Sequence, residues 1–418
     1  MKRGLVWFTE DLRVDDNETL LKAIEENDEI IPVFFLDSYA DKQQFSIPRC
    51  GNAREKFIKE SLMNLQHQFN KRGGALLVQA GTPNVELPRL CVEYQIRKVY
   101  TKKQVGSEEK LLQSEIKQHL LKLGVDFQTY STSTLYHPDD LPFSVRDIPM
   151  LFTKFRKLAE KESRVRTPFD APQHIVTPKL EVSLIETKKH STPEWLLGGE
   201  DAAQQRLAEF IWESHSIRTY KETRDQLSGL NFSSKCSAWL SQGCISPRRI
   251  YSEIKRYERE VVSNESTYWV IFELLWRDFF RFSFKKHPKA YFLLNGLGQQ
   301  ALYMQFDPSK FEAWTQGKTS ESLINAGMNE LRESGFVSNR MRQILASYWV
   351  FGLQQDWRYG AAWFEHCLVD YDVASNWGNW AYIAGVGNDN RGGREFNIEK
   401  QTQLFDRDGE YRSKWNTD

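Results

Sequence analysis

The spacing of the apolar residues changes twice along this chain, and each change excludes a large set of folds. Up to about residue 131, short apolar runs alternate with stretches of helical spacing. Leu5–Phe8, Ile30–Leu36, Ala75–Val78, Lys98–Thr101 and Val125–Tyr130 read as strands. Residues 52–71, a stretch from about Val85 and residues 107–123 read as helices, with stops at Gly73-Gly74 and Gly124. Buried strands alternating with helices predict a Rossmann-like α/β domain with a five-stranded parallel sheet over residues 1–131. No GxGxxG follows any of these strands, so the ordinary dinucleotide fingerprint is absent. Over 132–199 the pattern breaks at Pro138, Pro142, Pro149, Pro168, Pro172, Pro178 and Pro193, which predicts a surface linker with one helix near 149–162. From 200 onward the spacing is helical (201–214, 247–262, 266–286, 322–333, 339–353 and 359–368), which predicts an all-α domain over 200–418. Its Gly- and Asn-rich end, 383–418, is expected to be mostly irregular.

Within the helical part, residues 370–382 hold Asp370, Asp372, Asn376 and Asn379 among Trp377, Trp380 and Tyr382. A solvated loop has no need of those aromatics, and a plain core has no use for those polar groups, which are costly to bury unpaired. The mixture suits a pocket for a flat, polar, aromatic ligand. Of 13 Trp, only Trp7 precedes residue 190, so the need for indole lies in the second half. Net charge is zero, so nucleic-acid contact requires a local basic patch. The five Cys are scattered with no CxxC, and neither zinc nor another metal is expected. A reducing, cytoplasmic location fits them. No apolar run reaches the roughly 18 residues of a membrane span.

Other constellations have two readings each. Glu273, Trp276, Arg277 and Phe280 share one face of a helix and are either a site or an i,i+4 surface pair beside core rings. Arg281, Lys285, Lys286 and Lys289 are either a phosphate grip or a cation-rich helix end. The segment Asn231 to Ser237 is either a phosphate cradle or an ordinary Ser cap. Asn339, Arg342 and Gln343 share a face, and Arg342 could pair with Asp370 or Asp372 for function or for structure alone.

Taken in order, several segments resemble the photolyase/cryptochrome flavoproteins over nearly the whole chain. They are Asp11-Leu12-Arg13, Leu135 to Phe143, Tyr220 with Arg224-Asp225, Ser233-Ser234-Lys235, Trp276 to Phe282, Gly335 to Gln343, Asp356-Trp357-Arg358 and Asp370 to Tyr382. Asp139-Asp140-Leu141-Pro142-Phe143, Gln343 and Tyr382 are similar to the DASH cryptochromes in particular.

The resemblance implies an α/β antenna domain joined to a helical domain that binds FAD. Carried over, Tyr220, Ser233, Ser234, Lys235 and Ser237 would surround the phosphates, and Arg277, Asn339, Arg342, Asp370, Asp372 and Asn376 would line the cofactor. Glu273, Trp276, Asn339, Gln343 and Tyr382 would act on the substrate, with Arg224, Trp276, Arg281, Arg340 and Tyr382 holding DNA. Trp380 and Trp357 would relay electrons. The family's outer relay position holds Met304, with Tyr303 as a substitute. Glu108 or Glu109 would meet a methenyltetrahydrofolate antenna, although Gln104 stands where an acidic residue is common.

The implied reaction is light-driven splitting of cyclobutane pyrimidine dimers, mainly in single-stranded DNA, or in RNA, by a monomer. The rival expectations are a blue-light receptor with little repair activity and a flavin-binding protein that has lost its activity. The family's loop before the Asn339 helix is altered at 319–326.

Overall fold

The structure, a computed structural model, describes residues 1–36, 42–182, 184–187, 190, 192–298, 304–388 and 392–416. Tyr303 lies outside the described residues.

The N-terminal part runs β1 (Arg3–Phe8), α1 (Glu18–Glu26), β2 (Glu29–Leu36), a short hairpin β3 (Gln43–Gln44) and β4 (Ile47–Pro48), α2 (Asn52–Asn70), β5 (Leu77–Ala80), α3 (Pro83–Glu93), β6 (Lys98–Lys102), α4 (Ser107–Lys122) and β7 (Asp126–Tyr130). The five long strands form one parallel sheet in the order β5-β2-β1-β6-β7. Alternate residues of β1 enter different cores, as a period of two requires. Leu5 and Trp7 pack with Leu87, Leu90, Ile116 and Leu120, whereas Val6 and Phe8 pack with Leu20, Phe57, Leu62 and Phe69.

Two predicted details differ. Helix α1 was not expected; Asn17 caps it by accepting the Leu20 N–H at 3.1 Å. The third long strand starts at Leu77 rather than Ala75, because Gly73 leaves α2 with φ +83° and the Ala75 N–H is spent on Thr177 Oγ1 at 3.1 Å.

The linker contains α5 (Phe152–Glu162). Helices follow as α6 (Glu200–Ala208), α7 (Tyr220–Thr223), α8 (Ser237–Gln242), α9 (Pro247–Glu260), α10 (Glu265–Lys286), α11 (Pro308–Thr315), α12 (Ser322–Ser334), α13 (Asn339–Ser347), α14 (Trp357–Cys367), α15 (Val373–Ile383), α16 (Ile398–Phe405) and α17 (Glu410–Trp415). The last two are short helices within the end that was expected to be mostly irregular. Asn397 caps α16 by accepting the Lys400 N–H, and Tyr411 ties α17 to Glu330 of α12.

Buried polar bonds fix the helical part against the sheet. Arg248 and the Ser246 hydroxyl both hold Asp16 at 2.5 Å, and Arg13 donates to the Gly243 carbonyl at 2.9 Å. Asp278 of α10 accepts the N–H groups of Leu135 and Tyr136, each at 2.9 Å. These bonds hold the longest helix, and the pocket it walls, in one place.

Candidate functional site

A cavity of about 460 Å³ opens among α10, α13, α15 and the loop before α8. Tyr220, Arg224, Ser233, Ser234, Lys235, Ser237, Glu273, Trp276, Arg277, Asn339, Arg342, Gln343, Asp370, Asp372, Asn376, Trp380 and Tyr382 all line it. Residues that the sequence spreads over more than a third of the chain therefore meet in one place.

The inner end is built on the loop 230–236, and its shape depends on Arg206. This guanidinium is 2% exposed. It donates to the carbonyls of Leu230, Ser233 and Ser234, each at 3.2 Å, and to Asn231 Oδ1 at 3.0 Å. With those carbonyls turned to Arg206, Ser233, Ser234 and Ser237 face the cavity. Lys235 holds φ +59°, the left-handed region. Its ammonium lies 3.7 Å from the Phe232 ring centre and 4.9 Å from that of Phe336, and burial lowers its pKa to about 7. Sequence reasoning missed Arg206; nothing in its local pattern separates it from an ordinary helix arginine.

The middle of the cavity is bounded by ion pairs. Arg342 grips Asp370 with two bonds of 2.9 Å and also donates to the Val337 carbonyl at 3.0 Å. Asp372 caps α15 through the Ser375 N–H at 2.9 Å and pairs with Arg281. Burial alone would raise the Asp372 pKa, but Arg281 and Arg277 overcome it and bring it down to about 2. Arg277 is bonded to the Ser133 and Leu240 carbonyls, and burial next to Arg281 lowers its pKa to about 10. Asn376 spends its amide N–H on the Ala361 carbonyl at 2.9 Å, which leaves its oxygen free to accept a bond from a ligand.

At the mouth, Trp276 stacks one face on Phe152 at 3.7 Å and meets Tyr382 edge-on at 5.9 Å. Glu273 accepts from Arg224. Arg340 bridges Asp225 at 2.6 Å and Gln343 at 3.2 Å. Arg394, which sequence reasoning missed, lines the cavity, lies 4.5 Å over the Tyr382 ring and donates to its hydroxyl.

Five expected site residues stand outside the lining. Arg281 is 4% exposed and committed to Asp372, and Arg340 stands beside the mouth on Asp225. Trp357 is fully buried, with its N–H on the Leu294 carbonyl at 2.9 Å. Glu108 and Glu109 are on α4, far along the chain from the cavity walls. Glu108 pairs with Arg49 at 2.5 Å, and Gln104 donates to Glu10 at 3.1 Å. The altered 319–326 segment is not all loop: it runs into α12 from Ser322, and its start is tied to that helix. Thr319 Oγ1 donates to Asn325 Oδ1 at 2.7 Å, and Asn325 Nδ2 donates back to the Thr319 carbonyl at 2.9 Å.

Residues 4–173 match the DNA photolyase family model, and residues 269–417 match the FAD binding domain of DNA photolyase. A cryptochrome DASH of Synechocystis sp. is 42% identical over 98% of this chain and 86% of its own length. The chloroplastic/mitochondrial cryptochrome DASH of Arabidopsis thaliana is 42% identical over 98% of this chain and 75% of its own. Among solved structures, the Synechocystis cryptochrome superposes with a TM-score of 0.95 at 42% identity, over 99% of this chain and 88% of that one. A class III photolyase from Agrobacterium tumefaciens superposes at 0.85 with 28% identity, over 99% and 86%.

This chain belongs to the photolyase/cryptochrome family of flavoproteins. Its relatives within that family are DASH cryptochromes, and it carries the family's FAD-binding domain. The residues present fit that cofactor. Three serines and a buried lysine suit the diphosphate, and the Asn376 oxygen suits a ring N–H. Among the described residues, no cluster of three or more His, Cys, Asp and Glu could hold a metal, and no helix is long and apolar enough to cross a membrane.

Proposed function

We propose that this protein uses light to split cyclobutane pyrimidine dimers in single-stranded DNA. One observation carries the reading: Glu273, Trp276 and Tyr382 stand together at the mouth of the same cavity whose inner end suits a diphosphate. A lesion must leave its stack to reach such a mouth, and an unpaired strand makes that cheap. Trp276 is braced by Phe152 and Tyr382 by Arg394, so the flat faces that receive the bases are held in place. Glu273 offers a carboxylate to the pyrimidine edge and stabilises the charge that develops there. Bound reduced FAD supplies the electron under blue light. Asn339 and Gln343 are neighbours on the α13 face and give the substrate amide partners without adding charge. Arg224 and Arg340 grip the strand's phosphates. Five free cysteines without a disulfide support a reducing, cytoplasmic setting. A folate antenna at Glu108 and Glu109 would appear as extra near-ultraviolet absorbance that survives removal of FAD.

The test is blue-light repair of a thymine dimer by chemically reduced protein on a single-stranded oligonucleotide, with duplex and RNA arms. Repair of the single DNA strand alone supports the proposal. Repair of the duplex overturns the strand preference, and a stronger RNA response moves the substrate to RNA. No repair by protein with bound reduced FAD overturns the enzyme reading and makes the chain a blue-light receptor.

A further inference from the structure

We infer that a second cavity, separated from the first by Lys235 and Phe336, binds a small planar aromatic carboxylate. Its volume is about 330 Å³, at the low end of the range for small-molecule sites. Lys235 and Phe336 line both cavities. The rest of the second lining comes from the loop end Leu227 to Leu230, from the linker at Pro193 and Trp195, and from α12 and α17. Apart from Lys235, that lining has no residue of the cofactor, substrate or strand sites.

The walls of this cavity are tied to one another by bonds that need no ligand. Arg206 fixes the Leu230 carbonyl at 3.2 Å. Asn329 of α12 donates to the Trp415 carbonyl at 2.9 Å, and the Tyr411 hydroxyl donates to Glu330, so α17 is fastened onto α12 at two points. Ser334 accepts the Phe336 N–H at 3.0 Å, which sets the ring that divides the two cavities. A site whose walls are already ordered loses little freedom when a ligand enters.

The lining offers rings to a flat body and ammonium groups to an anion. Trp195 meets Phe336 edge-on at 5.2 Å, and Trp415 lines the same space. The Lys235 ammonium stands among ring faces, 3.7 Å from the centre of Phe232, 4.9 Å from Phe336 and 5.6 Å from Trp195, and makes no hydrogen bond with a described residue. Lys414 is exposed and lies 4.9 Å over the Trp415 ring. Among the described lining residues the one carboxylate is Glu330. Tyr411 bonds one of its oxygens, and burial raises its pKa to about 7. An anion therefore meets two ammonium groups and gains charge-assisted bonds. A cation would meet one carboxyl that is already bonded and that burial turns toward its neutral form. Because rings make up so much of the wall, the anion that fits is a carboxylate on an aromatic body rather than a bare inorganic ion.

The experiment is calorimetric titration of FAD-loaded protein with 2-naphthoate. The alcohol 2-naphthylmethanol and the cation 2-naphthylmethylammonium serve as neutral and positive probes of the same shape. Wild type is expected to bind one naphthoate per chain, and the other two probes at least about tenfold more weakly. Ser228 and Lys414 are exposed lining residues, so changes there spare the core. Ser228→Trp puts an indole into the cavity and should abolish binding. Lys414→Gln should weaken it about threefold, the order for an exposed charge pair. Flavin absorbance should be unchanged in both, since neither residue lines the first cavity. Trp276→Ala, at the mouth of the first cavity, should bind naphthoate as wild type does. Wild type with no saturable binding overturns the site. Binding that survives Ser228→Trp and is lost in Trp276→Ala also overturns it and seats the probe at the mouth instead. An alcohol or ammonium probe that binds as tightly as naphthoate overturns the choice of an anion.

Discussion

The two ends of the pocket are built from different kinds of bond. At the inner end, Arg206 is bonded to three backbone carbonyls, and in the middle Arg277, Arg342 and Asn376 also reach backbone carbonyls, beside the Arg342–Asp370 and Arg281–Asp372 ion pairs. At the mouth, side chains are bonded to each other: Arg224 to Glu273, Arg340 to Asp225 and Gln343, and Arg394 to Tyr382. Backbone acceptors cannot turn away, so the inner end keeps its shape whether or not a ligand is there. Ion pairs between partly exposed side chains are worth little, and a strand can take them over phosphate by phosphate. The inner end is thus suited to a cofactor that stays, and the mouth to a substrate that comes and goes.

The sharpest way to break this contrast is at Arg206. Arg206→Ala leaves buried backbone carbonyls without their donor, a change that costs about 1–3 kcal/mol for each acceptor left unsatisfied. The expected result is protein that leaves gel filtration without FAD. Arg206→Lys keeps the charge but not the fork, so it should retain FAD only in part. The flavin-to-protein ratio and the melting temperature of the apoprotein together decide the matter. An Ala variant with a full complement of FAD would show that the loop does not need this support.

Next in size is Glu273. Glu273→Ala should lower repair by about 10²-fold, the order expected for one group that stabilises developing charge. The FAD content should not change, because Glu273 stands at the mouth. Single-turnover repair yields, measured at equal bound flavin, test this. Unchanged yields would remove Glu273 from the reaction.

How much of this was legible beforehand follows the same division. The sheet showed in its apolar runs, because strands covered on both faces read as Leu5–Phe8 and Ile30–Leu36 do. The pocket lining showed because Asp370, Asn376 and Trp380 are an unusual mixture of polar and aromatic residues within one short stretch. Arg206 did not show, since a side chain that holds backbone carbonyls from a distant loop leaves no spacing to read. Arg394 was hidden in a Gly- and Asn-rich stretch that resembles a loop of no consequence. Arg281 was read as a surface cation because its neighbours are Lys285 and Lys286, yet α10 turns it inward to Asp372. The two short helices within the mostly irregular end, α16 and α17, did not show because they carry too few residues for a periodic signal.

A smaller effect is expected at Arg340. Removing a phosphate contact from a single-strand site lowers the slope of log affinity against log salt by about 0.7. Arg340→Ala should therefore weaken single-strand binding at low salt by roughly 1 kcal/mol or less and flatten that slope, with FAD retention unchanged. Fluorescence anisotropy over a range of salt concentrations measures both. A full wild-type slope would place the strand elsewhere on the surface.

The smallest effect concerns protons and separates the two ends once more. Burial lowers Lys235 to about 7 from the ordinary 10.5. The unfolded chain therefore holds more protons than the folded one between those values, and apoprotein stability rises with pH across that window. A diphosphate beside the ammonium stabilises its charged form and raises the pKa again. Cofactor binding then takes up a proton in the same window, so affinity for FAD falls as pH rises, opposite in sign to the stability. The limit for one proton is about tenfold per pH unit. Asp372, lowered to about 2 from 3.8, adds its stabilisation above the upper value and loses it only as pH falls toward 2, outside this window. Calorimetric titration of apoprotein with FAD in two buffers of different ionisation enthalpy, from about pH 6 to about pH 9, counts the protons taken up directly. Uptake that vanishes in Lys235→Met, with affinity then flat across the range, would place this ammonium against the phosphates. Equal uptake in wild type and variant would leave Lys235 a caged lysine with no part in holding the cofactor.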